Sequence, residues 1–88
     1  MLNKQDLTWA EPTLTVGNMD RFRAQVELAA AGSEHVVVDL TQTRYVDSWA
    51  TLLLLELTRR YGPQMTLVAP PYVLSMIDQA LHAGASRR

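Results

Sequence analysis

The chain has 88 residues, four glycines, four prolines, no cysteine and a formal net charge of −1. That length holds one domain, because domains typically take roughly 100–200 residues and nothing is left over for a second core. The missing cysteine excludes disulfides, thiolate metal sites and a cysteine nucleophile, and 8 basic against 9 acidic residues leave no electrostatic footprint for nucleic acid.

With 48 % apolar and 19 % charged residues the chain is able to bury a core. A small domain without staples relies on close packing or on a partner. No unbroken apolar run exceeds that of Leu52 to Leu55, far too short to cross a bilayer, and no apolar stretch near Met1 resembles a signal peptide. The sequence predicts a soluble, cytoplasmic domain.

Leu7 to Ala10 is a short strand candidate, β-prone and ended by Glu11-Pro12. Leu14 to Val16 is a second apolar patch, a short strand or the lead into a helix. From Met19 the period changes. Met19, Phe22, Val26 and Ala29–Ala30 recur at three- and four-residue steps, predicting a helix from about Met19 to Ala31, capped by Asn18 or Asp20 and stopped by Gly32. His35 to Leu40 is a near-continuous β-branched run of the kind found in strands buried on both faces. Thr41 to Arg44 is a polar loop, and Tyr45-Val46 a short extended return. Asp47-Ser48 precedes the longest helical pattern, Trp49 to Tyr61, which Gly62-Pro63 closes. Met65 to Ala69 is the next strand. Pro70-Pro71 ends it and opens a last helix carrying Val73, Leu74, Ile77 and Leu81, which stops at Gly84 and leaves Ala85 to Arg88 as a frayed tail. The ordered core is thus expected over about residues 7–84. Strands alternating with helices argue for an α/β fold with a parallel or mixed sheet and helices packed against it. Val37, Leu54 and Leu67 are the expected core.

Catalytic and metal chemistry find no support in these residues. His35 lies at the mouth of a strand and His82 near a helix end, where it favours the negative dipole terminus. Neither has metal-ligand spacing or an acid–base partner nearby in sequence. No glycine-rich phosphate loop and no glycine-flanked serine elbow is present. Asp39 and Asp47, able to approach across a strand and loop, form a carboxylate pair with no further polar cluster. No enzyme activity, cofactor or metal is expected.

The notable residues are Asp47-Ser48-Trp49, where an extended segment becomes a helix. One of the two polar residues serves as the N-cap. At about 100° per residue, centring the buried stripe on Leu54 puts Ala50, Thr51, Leu57, Thr58 and Tyr61 on the same side. Trp49, Leu52, Glu56 and Arg59 then fall on the opposite side, the make-up of a partner-binding patch unless another element covers Trp49. A serine at a helix start also suits phosphorylation, since a phosphate of roughly −1.5 to −2 charges meets the positive end of the helix dipole.

The stretch Val36-Val-Val-Asp-Leu-Thr-Gln-Thr-Arg-Tyr-Val-Asp-Ser-Trp-Ala50 resembles the central signature of STAS domains, the family of anti-sigma factor antagonists. The likeness continues through the leucine-rich helix, the strand at Met65–Ala69 and the final helix, covering about residues 35–84. It implies a mixed, mostly parallel sheet with helices mainly on one face and a non-catalytic regulatory module. By position Ser48 matches the family's phosphoacceptor and Asp47 the acid before it. The docking set is then Asp47, Ser48, Trp49, Leu52, Glu56 and Arg59. The family pattern implies a partner resembling an anti-sigma serine kinase, released when the serine is phosphorylated. Two other roles fit the likeness: an accessory subunit bracing the ATPase of a phospholipid-trafficking ABC transporter, and a scaffold in a stress-signalling complex. The chain departs from the pattern where Trp49 and Ala50 replace a small residue and glycine. It departs again where Pro12-Thr-Leu-Thr15 stands for the usual Gly-x-Leu-Asp.

Overall fold

The computed structural model describes residues 3–86, with side chains through His82. The chain runs β1 (Lys4–Thr8), β2 (Thr13–Leu14), α1 (Met19–Ala31), β3 (His35–Asp39), β4 (Tyr45–Val46), α2 (Ser48–Tyr61), a 3-10 turn (Gly62–Gln64), β5 (Met65–Val68) and α3 (Pro71–Ser86). Strands β1, β3 and β5 form one sheet in that order, with both pairings parallel; β2 and β4 form a separate parallel pair. Strands β3 and β5 are therefore adjacent and parallel, joined through α2. This is the α/β fold expected, with a parallel sheet and helices packed on one face.

The register shows which face that is. Leu7, Val38 and Leu67 sit side by side across the three strands, as do Gln5, Val36 and Met65. Val36 and Val38 are buried, and Leu7, Met65 and Leu67 pack against the same core. The alternate positions, from Asp6 and Thr8 through His35, Val37 and Asp39 to Thr66 and Val68, face away and are exposed or half-buried.

Expected burial of β3 on both faces is thus corrected. Its pattern alternates, so Val36 and Val38 take the core and Val37 is only half-buried. Leu67 packs against the core but is half-buried, whereas Leu54 is 1 % exposed as expected. Three consecutive valines conceal the period of two that decides which of them faces inward.

The first strand begins and ends earlier than its sequence signal. Trp9 lies just beyond β1, where its backbone N–H donates to the Asp39 carbonyl at 3.0 Å. Its ring is buried edge-on against Phe22 with centroids 5.3 Å apart, and its indole N–H donates to the Thr13 carbonyl. A buried indole that finds an acceptor fills the core without a polar-burial cost. The Asn18 amide occupies the cap position of α1 but holds the turn behind the helix: it accepts from the Thr15 N–H at 2.8 Å and donates to the Thr13 carbonyl at 3.0 Å.

Helix α2 is the central element. It buries Ala50, Leu53, Leu54, Leu55 and Leu57, a wider stripe than the single face expected. Gly62 ends it at φ 53°, a conformation that carries no Cβ penalty only in glycine, and its N–H closes the last turn onto the Thr58 carbonyl. Two ion pairs link α1 to α2, Arg23–Glu56 at 3.4 Å and Glu27–Arg60 at 3.2 Å. Helix α3 continues to Ser86 rather than stopping at Gly84, so Ala85 and Ser86 are helical and only Arg87 and Arg88 of the expected tail lie outside the described residues.

Candidate functional site

Asp47 is the cap of α2. One carboxylate oxygen accepts from the Ala50 N–H at 2.8 Å, and the other accepts from the Val16 N–H at 2.9 Å. Its own N–H donates to the Leu14 carbonyl, and its carbonyl accepts from the Thr51 N–H and hydroxyl. The residue therefore fastens the β2–α1 turn to the start of α2. With both oxygens bonded to backbone donors, its side chain positions the site rather than presenting a free charge.

Ser48, the first helical residue, is consequently not needed as the cap and is exposed. Beside it Trp49 is 61 % exposed and Leu52 is 54 % exposed, while Ala50 and Leu54 on the opposite side are essentially closed to solvent. The expected division of the helix holds: no described element covers Trp49. Glu56 and Arg59 lie farther along the same exposed side. Glu56 is tied to Arg23 of α1, so the charged end of the stripe is partly neutralised within the chain, through an exposed pair that contributes little stability.

Two grooves flank the ridge made by Trp49 and Leu52. The one toward α3 has a volume of about 430 Å³ and is lined by Ser48, Thr51, Leu52, Met76, Gln79 and Ala80. The other, toward α1, holds about 200 Å³ between Met19, Arg23, Trp49, Leu52, Leu53 and Glu56. Leu52 borders both. Thr51 and Leu53 of α2 are absent from the sequence-derived set, and so are Met19, Arg23, Met76, Gln79 and Ala80, because which helices flank α2 is decided by tertiary packing. A signal was nonetheless available: Tyr72, Met76 and Ala80 recur at four-residue steps along α3.

The carboxylates do not assemble into acid–base machinery. Asp39 accepts from the Thr41 hydroxyl at 2.6 Å and the Thr41 N–H at 2.8 Å, and these bonds hold it below the usual carboxylate range. Glu11 is lowered chiefly by its bond to the Arg21 guanidinium. Asp39 and Asp47 are each engaged with their own donors. His35 shares a 2.8 Å hydrogen bond with Thr66, and His82 lies 3.4 Å from Asp78, one turn earlier on α3, which corrects the expectation that it has no acidic partner nearby in sequence. Among the described residues no group of three His, Cys, Asp or Glu side chains is placed to hold a metal ion, and no helix is long and apolar enough to cross a membrane.

What fold and site define together is an α/β domain whose central helix carries a capped start, an exposed serine and an uncovered apolar ridge between two grooves. Comparison of the chain with protein-family models, with curated proteins and with solved structures gives no match.

Proposed function

We propose that the chain is a non-catalytic, STAS-type protein-binding module that docks a protein partner on the outward side of α2 and is switched by phosphorylation of Ser48. The observation that supports this reading is the separation of roles at adjacent residues. Asp47 makes the cap bonds, which leaves the Ser48 hydroxyl exposed beside the Trp49–Leu52 ridge. A phosphate added there meets the positive helix end and is tolerated by the fold. A partner seated on the ridge meets a strongly hydrated dianion instead and is released.

The partner is an anti-sigma serine kinase-like protein. The other candidates, a transporter ATPase and a stress-complex scaffold, are told apart by what the domain captures. The test is affinity capture from the native host, with the wild type and Ser48→Asp as baits and mass spectrometry of bound proteins and phosphosites. A kinase-like protein held by the wild type and lost with Ser48→Asp, together with phosphate on Ser48, is the expected result. An equal catch on both baits would overturn the switch, and an ATPase of a transporter in the catch would replace the partner.

A further inference from the structure

Strand β1 is an edge of the three-stranded sheet, with β3 on one side of it and no described strand on the other. Along a strand, successive residues turn their N–H and C=O groups to opposite edges. The Asn3 carbonyl accepts from the His35 N–H at one end, and the Trp9 N–H donates to the Asp39 carbonyl at the other. Odd-numbered residues therefore bond β3, and the N–H and C=O groups of Lys4, Asp6 and Thr8 point away from it. Among the described residues no strand or loop pairs with them. Directly beside this edge, a groove of about 280 Å³ separates β1 from α1, lined by Gln5, Leu7, Gln25, Leu28 and Ala29. Leu28 in its wall is 78 % exposed, more so than Trp49. We infer that an extended segment of another polypeptide adds to β1 as a fourth strand, its apolar side chains seated in this groove. The site stands apart from the α2 face, none of whose residues borders the groove.

Three features fix the chemistry of that segment. Free donors and acceptors recurring every second residue are matched by extended main chain, the strand-addition mode of peptide recognition. Side chains of the added strand that point to the helix layer fall beside Gln5 and Leu7, against Leu28 and Ala29, so those positions are apolar. Side chains on the opposite face meet the exposed Lys4 and Asp6, which calls for an acid opposite Lys4 and a base opposite Asp6. The segment runs antiparallel, the slightly more stable ladder. A second copy's own β1 does not meet these demands. Pairing Lys4 with Asp6 of the copy sets Gln5 against Gln5 and Leu7 against Asn3, which brings polar groups to both groove positions. The register that brings Leu7 beside Gln5 sets Asp6 against Asp6, and like charges directly opposite repel. The edge thus disfavours itself, as natural sheet edges do, and fits a segment in which charged and apolar residues alternate.

The probe is a fluorescent, end-capped peptide, Thr-Leu-Lys-Leu-Glu, which laid antiparallel from Thr8 to Lys4 puts its lysine opposite Asp6 and its glutamate opposite Lys4. Titrated against the full chain to about 1 mM, it binds, and at saturation the amide protons of Lys4, Asp6 and Thr8 exchange at least about tenfold more slowly. Asp6→Pro removes an outward N–H without touching a bond to β3, and it weakens binding at least about tenfold. Lys4→Glu combined with Asp6→Lys changes two exposed side chains and reverses the charge order. That variant prefers the peptide with lysine and glutamate interchanged by about threefold or more, whereas the wild type prefers the original. A peptide that does not bind by about 1 mM overturns the inference. So does one that binds wild type and Asp6→Pro equally, shows no reversal of charge preference, or slows exchange in α2 rather than β1. Slowed exchange of the same three amides on concentrating the chain alone also overturns it, since a second copy would then be the occupant.

Discussion

The two sides of α2 put similar side chains to opposite uses. Leu54 and Leu52 are the same residue two positions apart, yet one is 1 % exposed and the other 54 %. On the inner side, Ala50, Leu54 and Leu57 meet the core, and their burial holds the helix to the sheet. On the outer side, Leu52 lines both grooves and Trp49 the one toward α1. A leucine facing the core stabilises the fold in proportion to the apolar area it removes from water, whereas one left in solvent contributes nothing of the kind. The proposed docking face rests on that uncovered tryptophan and leucine, one turn apart on the same side of the helix.

Truncation on the two sides sharpens the contrast. Leu54→Ala should cost about 2–5 kcal/mol in chemical denaturation, since it opens a cavity beside the sheet. A loss below roughly 0.5 kcal/mol would show that the helix is phased wrongly. Asp47→Ala should cost about 1–2 kcal/mol, the range of a lost N-cap, with the Val16 N–H also left without its acceptor. Asp47→Asn, which keeps an acceptor oxygen, should recover part of that loss in the same assay. Trp49→Ala should leave stability within about 0.5 kcal/mol of wild type, as expected of an exposed site.

The smallest effect concerns acidification. Glu11 and Asp39 are held below their ordinary values of 4.5 and 3.8, so the unfolded chain takes up protons first as pH falls. Their contributions are fully present above those values and disappear as pH drops through the lower folded ones. Glu11→Gln and Asp39→Asn should each make the acid limb of a stability profile shallower. An unchanged limb would mean that these exposed bonds do not persist in solution.

Much of this was legible in the chain. The helix over Met19–Ala31 and the return at Tyr45–Val46 follow from periodicity and breakers, and a sheet with parallel strands from the alternation of strands and helices. The exposed stripe of Trp49, Leu52, Glu56 and Arg59 follows from 100° per residue. Two things were not legible, for different reasons. Val36-Val37-Val38 carry no alternation, so the inward pair was hidden until the register with Leu7 and Leu67 fixed it. The groove walls from α3 come from residues some 25 to 30 positions away, and no local pattern encodes which helix packs beside Ser48. Asp47 against Ser48 as the cap was open in sequence, because both residue types serve; the 2.8 Å bond from the Ala50 N–H to the Asp47 carboxylate decides it.

The division of α2 is tested most directly by partner capture with Trp49→Ala, measured alongside its denaturation midpoint. A midpoint matching wild type is expected, together with a loss of at least about 2 kcal/mol in partner affinity, the effect of removing a binding anchor. A variant that unfolds, or one that keeps its full partner affinity, would contradict it: Trp49 would then belong to the fold or to bare surface, and the docking face would lie elsewhere.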